Sequence, residues 1–599
     1  MALFQEFDKS SYQAWLNQLQ KELKGGDTSR LQHFQSEGLR LPTYLEAGDM
    51  SDSPSPLAYK VATQSTEGGA NHWMACVELK TDDLVQCNRK AIRMLEHGAS
   101  ALRFTGLGIS NQDELRLVLR NIQPEIICTH FDCGEANPSL LFMFLDELEK
   151  MGADKSLIRG STGFDPLGDY ALMGHLPASL EESMQIARSL LTVTEENLPA
   201  FKCISHNGSI WHHAGATMAE ELAFSLAAIA EYMVHTREAE KVARYINLRI
   251  AIGADFFGNI SKVRSLRLLW ERMLRGFDLD AGEIPLWISA ETSLLNLSLF
   301  DPLNNQLRIT TEAMAAVIGG IDDLTIHPYN VVFNQSDDHA ERIALNVHHI
   351  LRYESHLDAV ADAAHGSDYI EKYSAELGEA AWAIFLQVEE QGGYLKTLKS
   401  GWIQERIAAT RSKKEAEFAT GKRSLVGVNR FAKADEQLTP PEAGQRDPLA
   451  RQPEIETIKP YREAAELEKI RIRISERSPK PKALLLLGNN KQRSGDRAAF
   501  SYGFMAMAGI EAITDHAGKS LEDQLKSEAS QQAHLIILCA DDEEYPEMVK
   551  TMQKSDWPEC PVLIAGKPTE ETQALKGIHD WIYLGCDALL TLQNLESVL

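Results

Sequence analysis

Short apolar runs alternate with stretches of helical periodicity along most of the chain, the pattern of an α/β protein. The runs expected to form strands before residue 330 are Trp73–Leu79, Ala101–Phe104, Glu125–Thr129, Lys202–Ser205, Leu248–Ile252, Leu286–Ser289 and Leu324–Ile326. Parallel strands need crossover connections, which helices supply. Seven or more β/α units in one block therefore predict a closed (β/α)8 TIM-type barrel.

Three helical stretches flank these units. Asp338–Leu357 and Ala375–Ser400 are long enough to pack on the outside of the barrel. Phe4–Leu23 has the pattern of an amphipathic helix, which could dock on a partner protein.

The last part of the chain repeats the alternation on a smaller scale. Its strand candidates are Ala483–Leu487, Gly509–Ile513, His534–Cys539, Val562–Ala565 and Trp581–Leu584, and each is followed by a helical pattern. This order predicts a flavodoxin-like, doubly wound domain with a parallel sheet covered on both faces. Such sheets bind ligands beyond the carboxyl ends of their strands. The loop Gly488–Gly495, which follows the first of these strand candidates, is therefore the place where a bound cofactor would be sought.

A proline-rich, charged stretch separates the two blocks. Between about residues 434 and 480 there are few large apolar residues, although a helix is possible around Tyr461–Glu476. Such a stretch cannot form a core of its own and is interpreted as a linker. The predicted organisation is an N-terminal docking segment (residues 1–40), a barrel with trailing helices (41–433), a linker (434–480) and a flavodoxin-like domain (481–599).

Charge and composition narrow the possible partners. With 60 Lys and Arg against 86 Asp and Glu, the net charge of −26 disfavours nucleic acid and anionic membranes. No apolar run approaches the roughly 20 residues of a membrane span. The N-terminus lacks a basic cluster followed by an apolar block, and the eight cysteines form no C-x-x-C pair. We therefore expect a cytoplasmic protein with buried, reduced thiols rather than disulfides or zinc.

Three histidines fall near the predicted barrel mouth. His206 belongs to a predicted strand, and His212 and His213 follow it in the loop. Adjacent residues on an extended chain point in opposite directions, and no carboxylate at metal-ligand spacing joins these imidazoles. The pattern therefore disfavours a metal site.

Several strings resemble the methylmalonyl-CoA mutase family, in the order in which the family carries them. They are His213–Ala216, Phe257–Trp270, Asp301–Gly320, Val360–Glu371, Glu389–Gly393 and Val426–Asn429. The resemblance covers most of residues 30–431, and the tail resembles the family's cobalamin-binding domain. It implies a barrel joined to a flavodoxin-like domain, and a radical interconversion of (R)-methylmalonyl-CoA and succinyl-CoA that depends on adenosylcobalamin.

The tail departs from the family at its cofactor loop. The family carries D-x-H-x-x-G, whose histidine coordinates cobalt, whereas this chain has Asn490, Gln492 and Gly495. A glutamine amide is a poor cobalt donor, and no carboxylate remains to orient a ligand. The loop Ala540–Glu544 and Lys567 would also crowd the slot for the cofactor's nucleotide tail.

The barrel departs as well. Gly160–Asp165 replaces the family's G-T-I-Q-N-D string without its glutamine, and Ile210 stands where the active-site histidine is expected. Ile210 can neither donate a hydrogen bond nor act as an acid. The family's CoA-threading segment with its tyrosine has no counterpart between Tyr44 and Trp73. Lys262 or Arg264 could retain weak CoA affinity, although pairing on a helix surface is the simpler interpretation.

Together these losses resemble the small, non-catalytic β subunit that some bacteria pair with a homologous large α subunit. We therefore assign no catalytic, cofactor-binding or metal-ligating residue to this chain and expect adenosylcobalamin and catalysis on the large subunit. Two alternatives stay open: a competent acyl-CoA mutase that binds cobalamin without a histidine ligand, and a free-standing regulatory binding protein.

Overall fold

Eight parallel strands close into a barrel, and five more form a second sheet. The computed structural model describes residues 11–26, 33–34, 39–41, 70–134, 137–176, 178–333, 337–436, 452–514, 520–527, 532–554 and 560–599. The barrel strands are Met74–Lys80 (β1), Ala101–Thr105 (β2), Cys128–Asp132 (β3), Arg159–Phe164 (β4), Phe201–Asn207 (β5), Ile246–Ile252 (β6), Trp287–Thr292 (β7) and Asp323–Thr325 (β8). The predicted TIM-type fold is confirmed. A short antiparallel pair, His33–Phe34 with Arg40–Leu41, precedes the barrel.

Helices cover the barrel and trail it. They are Tyr12–Glu22 (α1), Leu84–Glu96 (α2), Gln112–Val118 (α3), Asn137–Met151 (α4), Pro166–Met173 (α5), Leu180–Asn197 (α6), Ser209–His213 (α7), Met218–Thr236 (α8), Ala239–Tyr245 (α9), Phe256–Gly276 (α10), Pro302–Gly319 (α11), Asp338–His349 (α12), Asp368–Glu390 (α13), Tyr394–Ser400 (α14) and Trp402–Ala419 (α15). A π-helical turn, Ile350–Glu354, extends α12. The predicted helix Ala375–Ser400 is in fact two helices, because Gly392 and Gly393 adopt positive φ between α13 and α14.

Strand β4 was not predicted from the sequence, because Arg159–Phe164 contains no apolar run. Glycine is required here for steric reasons. Gly160 has a φ of +138°, and a Cβ at this position would lie 1.8 Å from the Thr129 carbonyl oxygen of β3. The strand therefore depends on a close backbone approach that only glycine allows.

The second sheet has the flavodoxin strand order. Its strands are Lys482–Leu487 (β9), Glu511–Ile513 (β10), Leu535–Cys539 (β11), Val562–Ala565 (β12) and Asp580–Ile582 (β13), all parallel and arranged β10-β9-β11-β12-β13. The helices of this part are Ala465–Ser475 (α16), Lys491–Met507 (α17), Leu521–Leu525 (α18), Tyr545–Lys554 (α19), Glu570–Gln573 (α20) and Ala588–Val598 (α21). The flavodoxin-like prediction is confirmed.

Part of the predicted linker packs between the two domains. Leu467, Ile470 and Ile474 of α16 share one apolar cluster with the tail strands and with Phe300 and Phe418 of the barrel domain. Residues 437–451 lie outside the described residues. The apolar side chains of α16 therefore complete a cluster that neither domain closes by itself.

The remaining expectations concern membranes and thiols. In the described ranges, no helix is both long and apolar enough to cross a bilayer. The eight cysteines are all free, and only Cys560 is not fully buried. The prediction of buried thiols without disulfides is thus confirmed.

Replacing Gly160 by alanine should unfold the barrel, because the new Cβ would overlap the Thr129 carbonyl. We expect a loss of more than about 3 kcal/mol in the free energy of unfolding, measured by urea titration. Gly276→Ala is the matched control, since a Cβ there meets nothing within 4 Å. Equal stability of the two variants would contradict this account of β4.

Candidate functional site

Two places in this fold are suited to ligands. TIM-type barrels and doubly wound sheets both bind ligands at the carboxyl ends of their strands. We call the carboxyl ends of β1–β8 the barrel mouth and those of β9–β13 the tail edge. The sequence-predicted positions fall at one or the other.

Side chains bridge the tail edge at its switch point, between β9 and β11. The Asn490 amide donates to Asp541 at 2.8 Å. The backbone and side-chain nitrogens of Asn489 donate to Glu544 Oε2 at 2.7 and 3.0 Å. The crevice in which such sheets hold a ligand is therefore spanned by hydrogen bonds of the chain itself.

The predicted loop Gly488–Gly495 is shorter than expected. Asn490 is the N-cap of α17 and accepts a hydrogen bond from the Arg493 backbone nitrogen, so the helix begins at Lys491. Asparagine is among the preferred N-cap residues, which explains the early start. Gln492 consequently lies exposed in the first turn of α17 rather than in a loop.

An arginine fills the neighbouring part of the tail edge. Arg497 of α17 donates to the Ala540 carbonyl, to the Tyr545 hydroxyl at 2.5 Å and to Asp542 at 2.6 Å. A Cβ added to Gly566 would lie 3.1 Å from Arg497 Nη1. The guanidinium group therefore occupies the space between the ends of β11 and β12.

The donor groups at the tail edge do not fit cobalt coordination. Lys567 lies over the Tyr583 ring, with its Nζ 6.0 Å from the ring centroid. The imidazoles in the described part of the tail, His534 and His579, precede β11 and β13 at the opposite edge. An exposed amide, carboxylates and a guanidinium group do not replace an oriented imidazole.

The barrel mouth is dominated by compensated buried charge. Asp132 accepts from Arg103 at 3.1 Å and from Arg249 at 2.6 Å, and Arg249 also lies 3.7 Å from Glu291. Burial by itself would raise the carboxyl pKa values, but the facing arginines lower those of Asp132 and Glu291 to about 2. All four groups are thus charged at neutral pH.

The paired histidines sit differently from the prediction. His212 and His213 end the short helix α7, with ring centroids 5.5 Å apart, and are not on an extended strand. His212 bonds Ser293 at 2.8 Å, and His213 lies 3.7 Å from Glu291. Burial lowers the His213 pKa to about 4, so its imidazole is neutral and fixed within the core.

Neither position at which the family's catalytic side chains were expected carries a polar side chain. Ile210 is buried in the main apolar core. Gly163 lies at a β-bulge with a φ of +63°, and a Cβ there would lie 2.2 Å from the Phe131 carbonyl oxygen. The backbone at Gly163 therefore excludes a glutamine side chain.

The two basic candidates are buried rather than on the surface. Lys262 is fully buried and pairs with Glu221 at 2.8 Å. Arg264 pairs with Asp362 and with Glu371. The pairing was predicted, but its burial was not, and both cations are already paired with carboxylates.

Sequence reasoning missed the charged residues that fill the two sites. Asp132 on β3 and Arg249 on β6 alternate with apolar residues. Because successive side chains of a strand point to opposite faces, this alternation would have placed both charged side chains on the inner face of the barrel. Arg497 carries no such signal, because it lies within an ordinary helical stretch.

Comparison with known proteins agrees with this architecture. Residues 96–484 match the model of the methylmalonyl-CoA mutase family, and since this is more than half of the chain, the chain belongs to that family. This chain is 29% identical to the methylmalonyl-CoA mutase small subunit of Porphyromonas gingivalis, and the match covers 99% of this chain and 97% of that protein.

Relatives from one organism show both subunit types. The small subunit of Streptomyces virginiae is 27% identical over 88% of this chain and 85% of that protein. The large subunit from the same organism is also 27% identical, but over 56% of this chain and 46% of that protein. The resemblance in the sequence is thus confirmed, and the relatives matched along most of their length are small subunits.

Replacing Asp132 by asparagine should leave two buried guanidinium groups without their shared carboxylate. We expect a loss of about 3–5 kcal/mol in the free energy of unfolding at pH 7. The folded pKa of about 2 lies below the unfolded value, so the wild-type advantage is present above about pH 4 and shrinks as pH falls towards 2. Urea titrations across this range measure it, with exposed Asp113→Asn as control; a pH-independent difference would contradict the pairing.

Proposed function

We propose that this chain is the non-catalytic small subunit of an adenosylcobalamin-dependent methylmalonyl-CoA mutase. It binds and stabilises a homologous large subunit, which carries the cofactor and interconverts (R)-methylmalonyl-CoA and succinyl-CoA. The observation that carries the proposal is the tail edge, where Arg497 and the Asn490–Asp541 hydrogen bond lie at the strand ends beyond which such sheets bind ligands.

The cobalt argument rests on donor chemistry. Gln492 is the residue at the position of the family's cobalt-binding histidine, and it is an exposed amide on the first turn of a helix. Asn490, at the position of the orienting carboxylate, is already engaged with Asp541. The guanidinium group of Arg497, at the ends of β11 and β12, already has three partners, and a ligand that took its place would have to break these hydrogen bonds.

The barrel supports the same conclusion. A thioester carbonyl needs a donor or acid in reach, and Ile210 and Gly163 supply neither. The polar groups that are present at the mouth, Asp132 and Arg249 among them, neutralise one another. The side chains at the mouth therefore pack together and balance one another's charge, rather than transferring protons.

The partner argument rests on homology and on an amphipathic helix. Homologous barrels can pair about a pseudo-twofold axis, each presenting a related surface. No residue of α1 is fully buried, and Leu16, Leu19 and the C-cap residue Leu23 recur at helical spacing along one half-buried side. We propose that this stripe docks on the large subunit.

The charge of −26 supports a cytoplasmic partner protein rather than nucleic acid or a membrane. This location stays a prediction.

The isolated chain should show no corrin absorbance after incubation with adenosylcobalamin and gel filtration. Co-expressed with the large subunit encoded in the same genome, it should elute as a heterodimer that contains about one cobalamin and turns over methylmalonyl-CoA. Corrin on the isolated chain would favour a competent mutase. An unchanged elution position on co-expression would favour a free-standing regulatory protein.

Placing charge on the stripe of α1 should weaken assembly without affecting the fold. For the double variant Leu16→Asp and Leu19→Asp we expect at least tenfold weaker association, about 1.4 kcal/mol or more, by titration calorimetry with the large subunit. The thermal midpoint of the isolated chain should change little, because no residue of α1 is fully buried. Gln13→Asp with Gln18→Asp, on the exposed polar side, is the control; equal weakening by both pairs would contradict docking through the stripe.

A further inference from the structure

A cleft lies at the seam where the barrel closes. β8 pairs with β1 only as far as Thr325 and Cys76, where β8 ends. β1 continues to Lys80 alongside β2, so it separates from the segment that follows β8. Residues of α2 and α12 complete the walls of a cavity of about 380 Å³ in this gap, which is within the size range of small-molecule sites. We call this cavity the seam cleft.

One wall of the seam cleft is apolar. It is formed by the side chains of Val77, Ile326, Val331 and Leu345. Ile326 and Leu345 are buried, whereas Val77 and Val331 are half-buried. Methylene groups of a ligand would lose contact with water against this wall, which is favourable.

Polar groups converge on the same cleft from both sides of the seam. His327 is 6% exposed, and its Nε2 has no hydrogen-bond partner among the described residues. Thr325, 2% exposed, contributes a hydroxyl group to the lining. Across the seam, Glu78 follows Cys76 by two residues and therefore lies on the same face of β1. A buried polar atom without a partner costs free energy, which a ligand that bonds to it would recover.

The charge of the lining favours a cation. Five carboxylates line the cleft, against the two ammonium groups of Lys80 and Lys90. Lys90 is taken up by Glu341 at 2.5 Å. Glu78 and Asp82 form no ion pair in the part of the chain that the structure describes. A cleft lined mainly by charge of one sign attracts ligands of the opposite sign.

The arginines of the barrel axis do not compensate this excess. Arg103 and Arg249 face three carboxylates of their own, those of Asp132, Glu291 and Asp323. Because carboxylates outnumber guanidinium groups there, the axis supplies no surplus positive charge to the seam cleft.

We propose that the seam cleft binds a small organic cation, an aliphatic primary amine whose ammonium group lies among Glu78, Thr325 and His327. An ammonium group has three donors and no acceptor, whereas a carboxylate, a hydroxyl and a neutral imidazole nitrogen can each accept. The aliphatic chain lies along the apolar wall. A second ammonium group on the same molecule would meet Asp82 at the exposed rim. This binding does not depend on the subunit role proposed above.

Titration calorimetry of the full-length protein with putrescine, a four-carbon diamine, tests the site. Butanediol and succinate are the matched neutral and anionic compounds, since they have the same number of carbons. We expect one saturable site for the diamine and at least about tenfold weaker binding of the other two compounds. Absence of saturable diamine binding, or equal affinity for butanediol, would overturn the proposal.

The location of the site is tested by Glu78→Gln, which keeps the size of the side chain and removes its charge. Because Glu78 forms no ion pair among the described residues, the variant should fold, and we expect at least about tenfold weaker diamine binding. Glu96→Gln is the matched control, since Glu96 is exposed on the same side of the barrel sequence, in α2, but does not line the cleft. Equal diamine affinity in the two variants would contradict the assigned location.

A further measurement needs no variant. A ligand that binds only the folded chain raises its thermal midpoint by mass action. At constant ionic strength, the diamine should therefore raise the midpoint of the wild-type protein in a saturable way, and succinate should not. A midpoint that the diamine leaves unchanged would overturn the proposal, whatever the result of the assembly experiments with the large subunit.

Discussion

The carboxylate of Asp132, held between the guanidinium groups of Arg103 and Arg249, is the interaction on which the barrel axis depends. Removing any one of these three charged groups would leave an unpaired charge in a low-dielectric interior. The free-energy cost of that unpaired charge is much larger than the net stabilisation that an ion pair contributes. Arg103 continues the network to Asp323, and Arg249 to Glu291, so five strands are tied through one set of compensated charges. An extended ligand could enter this axis only by separating them.

A comparable arrangement joins the domains. Arg471 of α16, 1% exposed, donates to the carbonyls of Glu436 and Ala506, and its guanidinium carbon lies 4.6 Å from the Phe300 ring centroid. Glu468 on the same helix accepts from the Leu299 backbone nitrogen at 2.7 Å. The helix that begins the tail is thus also part of the barrel's surface. Buried polar groups on α16 therefore have partners in both halves of the chain.

Apolar periodicity located seven barrel strands and all five tail strands, although the predicted Glu125–Thr129 shares only Cys128 and Thr129 with β3. It failed at β4, where glycines and hydroxyl residues form a buried strand through backbone proximity. It also failed at charged sites, since Asp132, Arg249 and Arg497 are paired only in three dimensions. Glu78 and His327 lie far apart in the sequence, so no local spacing could have revealed that they line one cleft.

The bulge at Gly163 bears on the history of the chain. Because the Phe131 carbonyl stands where a side chain would begin, no single substitution at this position can restore an amide to the barrel mouth. The β4 backbone would first have to be rebuilt, at a cost in stability and with no immediate gain. Steric exclusion at one residue therefore makes the absence of an amide at this position hard to reverse once the bulge has formed.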